Sequence, residues 1–295
     1  MNHFCGSSMQ AIQMAAGAIS MGAGEAYICA GIESMTRVPM MGFNPMLNPT
    51  LAAELPEAYI SMGDTAEILV DRYKLSRGEQ DSFALGSHQK ASMAQESGKL
   101  SQEIIAVRND RGALIEQDGC IRGSSTLEAL SELTPAFKEG GCVTAANASP
   151  LTDGASAVIV CSAAFAREQQ LDILAKIRAI AVTGCAPEVM GIGPVAATHK
   201  ALKRAGITLD DLDVIELNEA FASQALACIR DLKLDQGKLN LDGGAIAIGH
   251  PLGATGARIT GKAAQLLKRE QGRFALATQC IGAGQGIATI LEAYE

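Results

Sequence analysis

Nowhere in this chain do lysines and arginines gather into the patch that a nucleic-acid surface requires. The 32 acidic against 24 basic residues leave a net charge of -8. The one basic knot, Lys268-Arg269, sits beside Glu270 and reads as a solvated helix end. Histidine is scarce, with four in all, and the eight cysteines form no CxxC pair. Neither a metal site nor a disulfide framework is therefore expected, and reduced thiols in a cytoplasmic protein are the simpler reading. No apolar run reaches the ~18 residues of a membrane span. Residues 1–24 lack the basic start of a signal peptide, and Gln10 and Gln13 break their apolar run.

What is present is apolar bulk. The 295 residues are 48% hydrophobic, enough for a sizeable core and, on length, roughly two domains. The opening, MNHFCGSSMQAIQMAAGAISMGAGEAYICAGIES, sets Cys5 directly ahead of a segment, 7–21, with almost no polar face. Such a helix is expected to be buried all round, and AYICA (26–30) reads as a short buried strand. Residues 39–63 are rich in proline and methionine, 64–73 and 76–97 read as helices, and 104–140 as hairpin and loop. From 151 the pattern alternates: strands at 151–162, 176–182, 213–216, 273–279 and 286–292, helices at 196–206, 219–232 and 254–269. Alternation of this kind predicts an α/β layered fold. The segment HPLGATGARITGKAAQLLKREQGRFALATQCIGAG follows the outline of the opening: a reactive side chain, an apolar helix, then a strand ending near Cys and Gly. Any helix–strand unit has that outline, but a true repeat would bring two helix starts to one site.

Four constellations carry chemistry. Cys5 at a helix N-terminus would have its thiolate favoured by the dipole and free N–H groups, although a free cysteine is more often a small core residue. His250 lies in GGAIAIGHPLGATG, where glycines leave an imidazole open to substrate; the spacing fits no P-loop. Cys280 ends the strand FALATQ and opens the turn IGAGQG, whose N–H groups could hold an oxyanion or simply form a tight turn. Asn218, in NEAFA, reads as a helix N-cap. Each stands at a strand end or helix start, where α/β folds build their sites.

Eight stretches in order, NHFCGSSMQA, SMGDTAE, SRGEQDSFALGSHQKA, TAANASPLTDGASA, MGIGPVAATHKAL, ELNEAFASQ, GGAIAIGHPLGATGARI and CIGAGQGIA, make the chain resemble the thiolases, within them the degradative 3-ketoacyl-CoA thiolase (acetyl-CoA acyltransferase) type. The resemblance implies a layered αβαβα fold of two similar halves, an N-terminal domain at 1–168 with an inserted loop region at about 39–150, and a C-terminal domain at 173–295. It implies Cys5 as the acylated nucleophile, Cys280 as general acid/base, and His250 as the group that activates Cys5. With a water on Asn218, His250 would also stabilise the enolate oxygen; the N–H groups of Cys5 and Gly282 would form a second oxyanion hole. Ser149 would lie along the pantetheine arm of CoA. No cofactor is implied, since CoA and acyl-CoA are substrates. The implied partners are acyl-CoA, a second or further copies in a homodimer or homotetramer, and other β-oxidation enzymes.

Two positions depart from the family pattern. Ser61 stands where short-chain acetoacetyl-CoA thiolases carry histidine, which leans towards broader chain length; His3 stands where arginine is common. Family members also have several strands and helices ahead of the nucleophile. The N-terminal half is therefore expected to be incomplete, and the chain unstable or inactive. The competing readings are an inactive acyl-CoA-binding remnant, an acetoacetyl-CoA thiolase, a β-ketoacyl synthase, which needs a second histidine where Asn218 stands, and a cysteine hydrolase, which leaves Cys280 unexplained.

Overall fold

A computed structural model describes residues 1–294. Helix α1 (Ser7–Ser20) follows a short 3-10 turn at Phe4–Gly6 and leads into strand β1 (Ala26–Ser34). The proline-rich stretch holds only α2 (Pro49–Glu54) and another 3-10 turn. Helices α3 (Met62–Tyr73) and α4 (Arg77–Glu96) follow. Ser61 caps α3, and a reciprocal Ser76–Glu79 capping box opens α4. Strands β2 (Val107–Arg108) and β3 (Leu114–Ile115) make a small hairpin, and α5 (Leu127–Ser131) a single turn or so. Then come β4 (Asp153–Cys161), α6 (Ala163–Glu168), β5 (Lys176–Gly184), α7 (Gly193–Ala205), β6 (Val214–Leu217), α8 (Ala222–Leu232), α9 (Ala245–Ile248), α10 (Leu252–Arg269), β7 (Phe274–Ile281) and β8 (Gln285–Glu292).

Strands β1 and β4 pair antiparallel along their whole length, from Ala26 opposite Cys161 to Ser34 opposite Asp153. The second sheet has the order β5-β8-β7-β6, with only the β6–β7 pair parallel. Between the two sheets lies a layer made of α1 and α10, which pack on one another. Ile12, Ala15, Cys29, Val160 and Ala257 fill its upper side; Met9, Ile259, Leu266, Ala277 and Ile287 fill its lower side. Helices α7 and α8 cover the far face of the four-stranded sheet through Ala197, Leu202, Leu217, Ala225, Leu276 and Ile290. With apolar matter on both faces, β7 is buried along its entire length.

The repeat outline is real in three dimensions. Each half runs from a central helix into a strand with an antiparallel partner, α1 into β1 beside β4 and α10 into β7 beside β8. Gly256 is required where the two helices meet, because a Cβ there would overlap the backbone of Met9.

Three expectations need correction. Helix α1 is not buried all round: Ser8, Met9, Ile12, Gln13 and Ala15 face inward, while Met14 is 56% exposed. Strand β1 is longer than predicted and is half-buried, with only one face against the helices. Its other face, Ala26, Ile28, Ala30 and Ile32, is exposed together with Ala155, Ala157 and Ile159 of β4. Finally, Asn218 caps no helix, since α8 begins at Ala222 with Phe221 as the flanking residue.

Candidate active site

Cys5 sits in the 3-10 turn that precedes α1. The turn is held by Ser7, whose hydroxyl accepts from the His3 N–H at 2.8 Å and donates to the Phe4 carbonyl at 2.7 Å. Phe4 has φ of 46°, a left-handed conformation unusual for a bulky residue, so the backbone is strained immediately before the thiol. From the other end of the chain, Gln279 donates its side-chain amide to the Cys5 carbonyl. Gly6 lies flat against Ile281, with no room for a Cβ. The backbone N–H groups of Gly282 and of Cys5 itself act on the Cys5 sulfur in the direction that favours thiolate.

Burial nevertheless dominates. It pushes the Cys5 thiol up to about 11, against the lowering by those two N–H groups. The expected helix-terminus preference for thiolate is overturned: desolvating the anion costs more than two donors return. Cys280, buried inside β7 rather than after it, is raised well above the usual thiol range, first by burial and next by the charge of Cys5. The strand that carries Cys280 packs on the turn that carries Cys5.

His250 lies between α9 and α10. Its imidazole is not open, as the flanking glycines suggested, but 4% exposed. Thr255 Oγ1 lies 2.6 Å from Nδ1, and the backbone N–H is taken by Thr152 Oγ1 at 3.2 Å. Burial first, and then the charge of Arg258, pushes the imidazole down to about 3, so it is neutral at physiological pH and able to accept a proton. Asn218 Nδ2 stands 3.4 Å from Nε2 and 3.5 Å from Nδ1, aimed at neither lone pair. Its Oδ1 is buried with no protein partner, which is the arrangement that a bound water or substrate O–H would complete.

Three supporting groups escaped the sequence reading. Glu219, next to Asn218, is buried and accepts from Ser87 Oγ at 2.6 Å, Asn240 Nδ2 at 2.7 Å and the Ile246 N–H at 3.2 Å. It thus ties the end of β6 to the turn that delivers His250, and Gly244 is needed there because a Cβ would strike the carboxylate. Thr255 and Gln279 are the others. Only the adjacency of Glu219 to Asn218, and of Gln279 to Cys280, could have drawn attention to them.

Ser149 is half-buried beside the same strand end, its N–H donating to the Ala220 carbonyl at 3.0 Å. Ser61 is an exposed cap, its hydroxyl 2.7 Å from Asp64 Oδ2. The structure thus gathers Cys5, Gly282, Cys280, Asn218 and His250 at the ends of β6 and β7 and the starts of α1 and α10.

A buried thiol with two N–H donors, a second buried thiol, a neutral imidazole and an unsatisfied amide oxygen define a site for thioester chemistry. The chain belongs to the thiolase family: residues 1–164 match the family's "Thiolase, N-terminal domain" and residues 171–293 its "Thiolase, C-terminal domain". It is similar to proteins named 3-ketoacyl-CoA thiolase from Pseudoalteromonas translucida and Shewanella sp. strain MR-7, each 49% identical over 300 residues, which are 99% of this chain and 77% of the relative. The crystal structure of human mitochondrial 3-ketoacyl-CoA thiolase superposes with a TM-score of 0.92 at 40% identity, over 100% of this chain and 78% of that one. The N-terminal family match runs from residue 1 of this chain, which spans 77% of the length of these curated relatives. Among the described residues no helix is long and apolar enough to cross a membrane.

Proposed function

We propose that this protein is an acetyl-CoA C-acyltransferase that cleaves 3-ketoacyl-CoA with CoA, giving acetyl-CoA and a shortened acyl-CoA, and that can run the reverse condensation. The supporting observation is that the strand carrying Cys280 packs on the turn carrying Cys5, from opposite ends of the sequence: Gln279 donates to the Cys5 carbonyl and Ile281 lies against Gly6. In this reading the Cys5 sulfur attacks the 3-keto carbon as its proton passes to neutral His250. The N–H groups of Cys5 and Gly282 receive the oxyanion that forms. Collapse breaks the C2–C3 bond, and the electron pair moves into the acetyl-CoA enolate. His250 and a water on Asn218 hold the enolate oxygen, and Cys280 protonates C2. Acetyl-CoA leaves. A second CoA thiol gives its proton to the Cys280 thiolate and attacks the acyl group on Cys5. Cys5 departs and takes back the proton from His250, which returns the enzyme to its starting state.

A neutral thiol beside a neutral imidazole suits this order of events, because no ion pair has to be desolvated before substrate arrives. Ser149 would line the CoA arm, and the division into 1–168 and 173–295 would place one half of the site on each domain. The reading requires no resident cofactor. The homodimer or homotetramer, the association with other β-oxidation enzymes and the cytoplasmic location rest on family likeness alone. The test is thiolysis of a series of 3-ketoacyl-CoA substrates by the wild type and by C5A. Turnover extending beyond the four-carbon substrate and lost in C5A is expected; turnover surviving in C5A, or confined to acetoacetyl-CoA, would overturn the reading.

A further inference from the structure

His3 is the position at which this chain departs from the arginine common in the family, and none of the steps above uses it. Its imidazole Nε2 lies 2.8 Å from the side-chain oxygen of Gln285. The amide nitrogen of Gln285 in turn points at the carbonyl of Gly282, at 3.4 Å. Since that nitrogen is turned to a carbonyl, the oxygen faces His3, and His3 must donate from Nε2–H. The Nδ1 of the ring is buried and has no partner, so one bond alone orients the side chain. A chain of contacts thus runs past the nucleophile: the His3 N–H to the Ser7 hydroxyl, that hydroxyl to the Phe4 carbonyl, the His3 ring to Gln285, and Gln285 to the carbonyl of Gly282, whose N–H acts on the Cys5 thiol.

The ring of contacts matters because the two sides of the pocket come from opposite ends of the chain. Phe4 holds a left-handed conformation on one side. On the other, Ala283 and Gly284, at φ of 64° and 86°, form the tight turn that follows Gly282. Two strained turns face each other, and a donor misplaced by about 1 Å forfeits much of its transition-state stabilisation.

We propose that His3 is a positioning residue that, through Gln285, fixes the Gly282 N–H against the Cys5 sulfur and so sets the oxyanion hole used in acylation. This rests on the proposed thiolase reaction, and the test separates the two. The variants are H3F, which keeps a ring of similar bulk without the donor, H3Q, which keeps an N–H donor, Q285M, and the double variant H3F/Q285M. The measurements are the rate of acyl-enzyme formation from acetyl-CoA, KM for CoA, and the pH dependence of Cys5 alkylation by iodoacetamide. The last needs no thiolase activity.

H3F is expected to slow acylation about ten-fold, roughly the effect of weakening one oxyanion donor without removing it, with KM for CoA changed less than about two-fold. The midpoint of Cys5 alkylation should move to higher pH as the Gly282 donor is weakened. H3Q should recover most of both effects, and H3F/Q285M should be no slower than either single variant. A wild-type acylation rate and alkylation midpoint in H3F would overturn the proposal. So would equal impairment of H3Q and H3F, or losses that add in full in the double variant. Should the wild type form no acyl-enzyme, the reaction assigned to the site fails, while the alkylation profiles still decide the role of His3.

Discussion

The side-chain amide of Gln279 donates to the backbone carbonyl of Cys5, joining the strand that carries one thiol to the turn that carries the other. Its own oxygen is buried and unpartnered. Replacing Gln279 by methionine should therefore remove the tether while filling the space. The expected cost is ~1–2 kcal/mol of stability for the stranded carbonyl, together with an acylation rate reduced about ten-fold through loss of placement. Q279E should be worse than Q279M, because a carboxylate would face a carbonyl oxygen. Thermal unfolding and single-turnover acylation give the ranking.

The contact between Gly256 and Met9 makes the central helix pair intolerant of any side chain. G256A must push α1 and α10 apart at the backbone, at an expected cost of ~1–3 kcal/mol or more. Gly17 lies within α1 with no atom where a Cβ would be placed. G17A should stabilise by ~0.5–1 kcal/mol through helix propensity. Chemical denaturation of the two variants should therefore move in opposite directions.

His250 carries a pH signature. Its imidazole is held down to about 3 by burial, against 6.5 for the unperturbed group. Between these values the unfolded chain binds a proton that the folded protein excludes, so stability is present above 6.5 and is lost as pH falls towards 3. The slope from this group approaches ~1.4 kcal/mol per pH unit. H250N, which cannot titrate, should flatten that part of the stability profile. Denaturant unfolding of both proteins at a series of pH values measures the difference.

Glu219 accepts three hydrogen bonds, which favour its carboxylate form against the burial that raises its proton affinity. E219Q would turn an amide N–H₂ towards groups that are themselves donors. A cost of ~1–3 kcal/mol in stability is expected. A fall in kcat should accompany it while KM for CoA holds, because the residue positions Asn218 and the His250 turn without lining the CoA arm. Steady-state kinetics on the folded variant would show it.

The elements from 176 onward were legible to within a few residues, because buried strands and one-sided helices leave clear periodicities. The motif residues were legible too, since reactive side chains among glycines stand out at strand ends. What failed was whatever depends on contacts from far along the chain. Asn218 has the side chain of an N-cap, and nothing in its local pattern, only the family resemblance, pairs it with His250, from which it stands 3.4 Å away. The protonation of Cys5 is set by burial beneath Gly282 and Ile281, which no local pattern reveals. The carboxylate of Glu219 draws its donors from Ser87 and Asn240, on two separate segments. In β1, Ile28 and Ile32 look like core, yet each is 79% exposed; the apolar pattern gives residue type, not what lies against it.

The central claim is that the thiol of residue five carries the acyl group between two CoA molecules. Incubation with acetyl-CoA, acid quenching and peptide mass mapping tests it directly. The account predicts one acetyl group, on the peptide bearing Cys5, that disappears when CoA is added back and never forms in C5A. An acetyl group on Cys280 or another thiol, or none at all on a protein that turns substrate over, would contradict it.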